Sequence, residues 1–315
     1  MKYLIEGMKI GITIGDPAGI GPELVLKSVS HFKGNFSVYG NKKILQRTAQ
    51  DLGLEKNFKL IKNCIVDCVE NIKFRYGKPD RKTAEIAIKT LNYALRSNPD
   101  ILITAPIVKS VVKETRPEFI GQTEYLAQFY GVKKFAMVGI VANKRIMLLT
   151  THLPLVYVFK FIKPRNIFKK IVLLDIGLKE YFRINNPKIG VAALNPHSFE
   201  FTKGEEEKIL KGIMLARSKG IQVSGPLPAD SIFNHNFDGF LSIYHDQAFI
   251  YLKSKPGGVN WTMGLPIIRL SPLYGAALDI AGKNVAKISG MVNAIKLGIK
   301  MFRNKSGVIY VKNKS

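Results

Sequence analysis

Short apolar runs that end in polar, glycine- or proline-marked loops, each followed by a segment of helical spacing, recur along the chain. Ile10, Ile12 and Ile14 alternate up to Gly15 as in a strand. Pro22 then stands where a first helical turn begins, with Glu23 near the positive end of the helix dipole. Over 80–97 the residues Ala84, Ala87, Ile88, Leu91 and Leu95 keep helical spacing, and Ile101–Thr104 follows across Asn98 and Pro99 as a strand. Further strands are predicted over 135–141, 146–150, 188–193 and 240–244, and helices over 164–179 and 205–219. Strands that alternate with helices predict an α/β protein whose sheet is largely parallel. There is no internal repeat and no low-complexity linker, and the length suits two lobes with a cleft between them.

Composition narrows the class. With 315 residues, 46% of them hydrophobic and 23% charged, the chain buries a real core, which excludes a disordered or fibrous protein. The apolar runs fall short of the roughly 20 residues that span a bilayer, and the opening MKYLIEGMK lacks the apolar stretch and cleavage site of a signal peptide, so the expected compartment is the cytoplasm. Cys64 and Cys68 cannot make a disulfide framework, and their spacing is a poor zinc pattern; they are expected as reduced core or strand residues. A net charge of +25, from 48 Lys and Arg against 23 Asp and Glu, attracts anions. The basic residues are scattered as singles and pairs such as Lys42-Lys43 and Lys169-Lys170, which favours a small phosphorylated substrate over nucleic acid.

Candidate chemistry gathers after the strands. Of five histidines, His152, His197 and His245 each follow a predicted strand, where open α/β sheets place ligand-binding groups. Three converging imidazoles make a metal site with an open position, and Asp246 and Asp230 are placed to add an oxygen ligand or to fix an imidazole tautomer. His31, read as helical, and His235, in a polar loop, are expected at the surface. Gly15, Asp16 and the rest of GDPAGIGPE form a glycine-rich turn between strand and helix that matches neither a dinucleotide fingerprint nor a nucleotide-triphosphate loop. The stretch 253–282, read as loop-rich, holds Lys253, Asn260 and Arg269, suited to a phosphate or carboxylate, and Asp279, which could accept from a ribose diol or cap a helix. Lys109 follows the strand ending at Thr104, and Thr123 opens a helix-like segment as either a cap or a substrate contact.

Taken together, GDPAGIGPE, TAPIVKS, GQTEYLA, TTHLPL, LNPH, GPLPADS, YHDQ, GVNWTMGLPIIR and GAALDIAGK resemble the 4-hydroxythreonine-4-phosphate dehydrogenase family over nearly the whole chain. The resemblance implies a two-lobed α/β/α fold of the isocitrate/isopropylmalate dehydrogenase type. The first lobe is then expected over 1–105 and 250–315 with the cofactor loop, and the second over 106–249 with metal and substrate residues and the dimer interface. It implies a homodimer whose active site lies at the subunit interface, with His152, His197 and His245 as ligands of a divalent metal (zinc, magnesium or cobalt), the third of them supplied by the partner copy. It further implies Gln122, Thr123, Lys253, Asn260 and Arg269 as substrate-binding residues, and Asp230, Asp246 and Lys109 as catalytic candidates among which the general base is left open. NAD or NADP is expected outside any Rossmann domain, at Asp279 and at Gly15 and Asp16.

The implied reaction is oxidation of 4-phosphooxy-L-threonine to a β-keto acid that loses carbon dioxide to give 3-amino-2-oxopropyl phosphate, in pyridoxine biosynthesis. This chain departs from the family pattern at Gln122, where His is usual, in the loop after His197, at Val108, and at Leu273-Tyr274. Those departures keep a phosphorylated four-carbon sugar acid, threonate or erythronate 4-phosphate, as the alternative substrate. A non-catalytic anion- or RNA-binding protein is the alternative of another class.

Overall fold

The computed structural model describes residues 3–306. The described residues divide into two compact units, one formed by residues 3–133 with Leu265–Phe302, the other by Lys134–Gly264 with residues 303–306.

In the first unit the chain runs β1 (Tyr3–Thr13), α1 (Gly21–Val29), β2 (Phe32–Gly40), α2 (Lys42–Leu52), α3 (Glu55–Ile61), β3 (Ile65–Asp67), α4 (Arg81–Arg96), β4 (Ile101–Thr104), α5 (Lys109–Thr115) and α6 (Gln122–Phe129). The second unit holds β5 (Ala136–Val141), β6 (Lys144–Leu148), α7 (Leu155–Val158), α8 (Pro164–Phe182), β7 (Lys188–Ala192), α9 (Glu205–Arg217), β8 (Gln222–Leu227), β9 (Gly239–Ser242), α10 (His245–Lys253) and β10 (Val259–Met263). The chain then returns to the first unit with β11 (Ile268–Pro272) and α11 (Ser289–Ser306), the last four residues of which count with the second unit.

Strands of the first unit lie in the order β3-β2-β1-β4-β11, every pair parallel. Those of the second lie β10-β5-β6-β9-β7-β8, antiparallel at β10-β5 and β5-β6 and parallel beyond. This is the largely parallel α/β arrangement expected. All four residues of β4 and all five of β11 are buried, the signature of central parallel strands covered on both faces. Local chemistry sets the helix ends. Asp80 caps α4 in a reciprocal box with Thr83, and the helix buries Ala84, Ala87, Ile88, Leu91 and Leu95, the five positions its periodicity marked.

Several expectations are corrected. His31 is not helical: α1 ends at Val29, and His31 sits in the turn that feeds β2, its N–H donating to Ser28 O. The cysteines are neither core nor strand residues; both are half-buried, Cys64 ending a short 3-10 turn and Cys68 lying just past β3. The stretch 253–282 is loop-rich as read, but Asn260 and Arg269 are not on its loops: Asn260 lies on β10 and Arg269 on β11, where a ladder of backbone hydrogen bonds fixes them. Among the described residues no helix is long and apolar enough to cross a membrane.

Candidate active site

In the second unit, β6 and β9 pair in parallel and end side by side, which brings the segments after them together. Thr150 Oγ1 donates to Ile243 O at 2.7 Å, tying the two exits. Gln247 fastens them further: its Oε1 accepts from Ile243 N at 2.9 Å and its Nε2 donates to Ala193 O at 2.7 Å, at the end of β7. The result is that the His152 and His245 rings face each other with centroids 6.0 Å apart and planes tilted by 43°. Two imidazoles sharing one ion at ordinary metal–nitrogen distances have centroids about 5–6 Å apart, so the pair fits half of a metal site.

His245 is oriented from two sides. Its ring stacks on Phe249, one helical turn on, at 4.1 Å and 10°. Its Nδ1 lies 2.8 Å from Asp246 Oδ1. A carboxylate only accepts, so Nδ1 carries the hydrogen and Nε2 presents its lone pair, the tautomer a metal ligand needs.

His197 is placed differently. It sits in the left-handed region at φ 55°, followed by Ser198 at φ 60°, and its side chain is 69% exposed with Nδ1 3.4 Å from Glu200 Oε2. Among the described residues of the single chain no group of three His, Cys, Asp or Glu comes together to hold a metal. Asp230 is exposed in the turn after β8. Lys253 ends α10, exposed, with Nζ over the Phe249 ring at 5.7 Å. Asn260, half-buried on β10, has a buried Oδ1 with no hydrogen-bond partner, an acceptor suited to a ligand's N–H or O–H.

In the first unit the basic candidate is at the centre rather than the surface. Arg269 is 2% exposed, and its Nη2 donates to Thr104 Oγ1 at 2.7 Å and to Gln122 Oε1 at 3.2 Å, while Nη1 reaches Thr123 Oγ1 at 3.5 Å. Burial lowers its pKa from the usual arginine range to about 10, with Glu124 acting in the opposite sense, so it is positively charged at neutral pH. Three expected substrate residues, Gln122, Thr123 and Arg269, are therefore gathered together with Thr104, which the sequence reading missed. Its only signal was its place at the carboxyl end of a fully apolar strand. Thr123 does not cap α6: Gly121 occupies that position, and Thr123 lies inside the first turn. Gln122 Nε2 also donates to Ala105 O at 3.3 Å. Lys109 begins α5, half-buried.

Asp16 is fully buried, its Oδ1 accepting from Ala18 N at 2.9 Å while Oδ2 has no partner. Desolvation raises its pKa from 3.8 to about 6. Gly15 is held at φ 69°, and a Cβ there would stand 2.3 Å from Pro106 O, so the turn needs glycine to pass its own backbone. Asp279 is exposed in a tight turn of residues 278–284.

Comparison with known proteins gives the site its context. The 4-hydroxythreonine-4-phosphate dehydrogenase of Sulfurihydrogenibium sp. is 37% identical over 94% of this chain and 99% of its own. A protein of Oceanobacillus iheyensis, provisionally named D-threonate 4-phosphate dehydrogenase, is 34% identical over 94% of this chain and 98% of its own. Among solved structures, the 4-hydroxythreonine-4-phosphate dehydrogenase of Klebsiella pneumoniae superposes with a TM-score of 0.76 at 27% identity, covering 94% of this chain and all of that one. An isocitrate dehydrogenase of Methylococcus capsulatus, 13% identical with a TM-score of 0.51 over 95% of this chain and 87% of its own, shares the fold alone. The family described as pyridoxal phosphate biosynthetic protein PdxA matches residues 33–298, and the protein belongs to that family.

Proposed function

We propose that the chain is a metal-assisted, NAD(P)-dependent dehydrogenase of 4-phosphooxy-L-threonine, yielding 2-amino-3-oxo-4-phosphooxybutanoate and, by decarboxylation, 3-amino-2-oxopropyl phosphate. The observation that carries this reading is the His152–His245 pair, 6.0 Å apart, with the second ring fixed by Asp246. The two imidazoles supply two of the three nitrogens of such a site, and His197, exposed on its own loop, is placed to supply the third to a second copy.

Exposed apolar side chains on the segment after His152 and near His197, among them Leu155, Val156, Tyr157, Phe159 and Phe201, support a homodimer through this unit. The reading places the enzyme in the cytoplasm. Nucleic acid is not required to explain the charge, because a small phosphorylated anion suits the same field.

Imidazole nitrogens suit zinc or cobalt, whereas magnesium, a hard ion that prefers oxygen ligands, rests on the family resemblance alone; an ion held there would supply Lewis acidity toward the hydroxyl that is oxidised. The nicotinamide supplies the hydride acceptor. The chain's own residues do the rest. In the first unit Arg269, its guanidinium fixed by Thr104, Gln122 and Thr123, provides a set positive charge for the phosphate. Asn260 Oδ1 accepts from the amine or hydroxyl of the substrate. Asp246 is committed to His245, which makes it an orienting group and leaves Asp230 and Lys109 to take the hydroxyl proton. Asp279, on an exposed turn beside an uncrowded Gly275, is suited to a ribose diol.

The Oceanobacillus relative favours a second reading in which the substrate is D-threonate 4-phosphate, which needs the same metal and cofactor without an amine contact. Assaying both substrates with NAD and NADP, following reduced-nicotinamide absorbance, separates them. Turnover confined to the sugar acid overturns the first reading, and no turnover of either, joined to tight RNA binding, overturns both.

A further inference from the structure

The glycine-rich turn GDPAGIGPE is not used in the chemistry above, and its glycines are packed closely against the chain's own backbone. A Cβ on Gly15 would meet Pro106 O at 2.3 Å, one on Gly21 Ile14 O at 2.2 Å, and one on Gly19 Ala276 O at 2.9 Å. Each is closed by the chain's own backbone. The last of these contacts leads to the segment 274–288, which carries Asp279. Ile20 N donates to Ala276 O at 3.0 Å, and Ile20 and Leu24 are buried against Ala281 and Ala286 of that segment.

The motif ends in Glu23, 2% exposed. Its Oε1 accepts from Ala286 N at 2.9 Å and from Lys27 Nζ at 2.5 Å, and the same ammonium donates to Asn284 O at 2.9 Å. Tyr274 OH donates to Lys287 O at 2.9 Å and closes the stem of the loop. Burying a carboxylate is costly unless it is paired and hydrogen-bonded. Here its partners are a backbone amide of the loop and a lysine that itself grips the loop. Beyond its favourable place in the first turn of α1 and its pair with Lys27 one turn on, the carboxylate therefore fixes the geometry of residues 284–286.

We propose that Glu23 is a positioning residue for the nicotinamide dinucleotide: with Lys27 it holds the 274–288 loop in the shape that presents Asp279. The motif thus acts as the seat of the cofactor loop, one step removed from the cofactor. This rests on the assignment of that loop to the dinucleotide under the proposed function.

The test uses the full-length enzyme carrying Glu23→Gln, Glu23→Leu and Lys27→Met. Hydrogen–deuterium exchange without cofactor reads the loop directly. Exchange over 284–288 is expected to accelerate at least about tenfold in Glu23→Leu, the scale of one lost hydrogen bond to a charged group, while β4 keeps its protection. NADH titration is expected to weaken by a similar factor with KM for the phosphorylated substrate unmoved. Glu23→Gln, which keeps an acceptor for Ala286 N, is expected to stay near wild type. If Glu23→Leu does not fold, Lys27→Met, which leaves the core of α1 intact, is expected to loosen the same segment and weaken NADH. Wild-type NADH affinity in a folded Glu23→Leu or Lys27→Met protein overturns the proposal, as does equal weakening of cofactor and substrate. A wild-type enzyme that binds no NADH sinks the functional assignment instead, while the exchange result still reports on the anchor.

Discussion

Replacing Gln122 by alanine removes one of the groups that fix the Arg269 guanidinium without touching the arginine itself. A hydrogen bond to a charged group contributes about 1.5–3 kcal/mol. At 3.2 Å and half-buried, the Gln122 contact is longer than a good charge-assisted bond and belongs at the low end of that range. A loss of about 1.4 kcal/mol is tenfold in an equilibrium constant, so KM for the phosphorylated substrate should rise roughly tenfold, with kcat and the cofactor KM little changed. Thr104→Val is the internal standard. Its bond to Arg269 is 2.7 Å and its side chain is fully buried, so the larger figure of about 3 kcal/mol, on the order of a hundredfold, applies. The assay is initial rates over a substrate series at saturating cofactor and metal, with thermal melting of each variant to separate binding from folding. A larger effect from Gln122→Ala than from Thr104→Val, or effects confined to the cofactor KM, would refute the assignment of Arg269 to the phosphate.

Two further outcomes follow from named contacts. Asp246→Ala removes the acceptor that fixes the His245 tautomer, and since the carboxylate is 69% exposed the loss of metal affinity should sit near the lower end of the usual ~10–100-fold, read by competition with a chelator. Asp16 carries a pKa raised by burial from 3.8 to about 6, so the folded state favours its neutral form. The stability this confers is complete below the unfolded pKa and is lost as pH rises through the folded one, a difference of about 3 kcal/mol. Asp16→Asn, which keeps the oxygen that accepts from Ala18, should therefore raise the melting temperature over wild type at about pH 8 and much less at about pH 4. An equal gain at both would place the carboxylate's desolvation elsewhere.

What could be read in advance was local. The α4 helix was legible because five apolar residues, Ala84, Ala87, Ile88, Leu91 and Leu95, keep helical spacing within 12 positions. His152, His197 and His245 could be singled out because each follows an apolar strand, and the structure brings the first and last of them together. β2 was not, because Lys33, Gly34 and Asn35 are exposed and its residues FKGNFSVYG lack a run that marks a strand; it is held by parallel pairing to β1. The same holds for the sites. Nothing in the local sequence joins Gln122 to Arg269, 147 residues away, or Glu23 to Ala286, 263 away. Parallel sheets place such pairs side by side only after the crossovers close. For the same reason Asn260 and Arg269 read as loop residues: the ladders that make them strand residues lie with β5 and β4, far back in the chain.

The most direct measurement is reduced-nicotinamide formation from 4-phosphooxy-L-threonine by the full-length protein, first stripped of metal with a chelator and then resupplied with a divalent cation. The expected result is loss of turnover on stripping and its return with zinc, magnesium or cobalt, together with no return in His152→Ala or His245→Ala. Turnover that survives stripping, or that returns equally in both variants, would contradict a catalytic metal held by these two imidazoles.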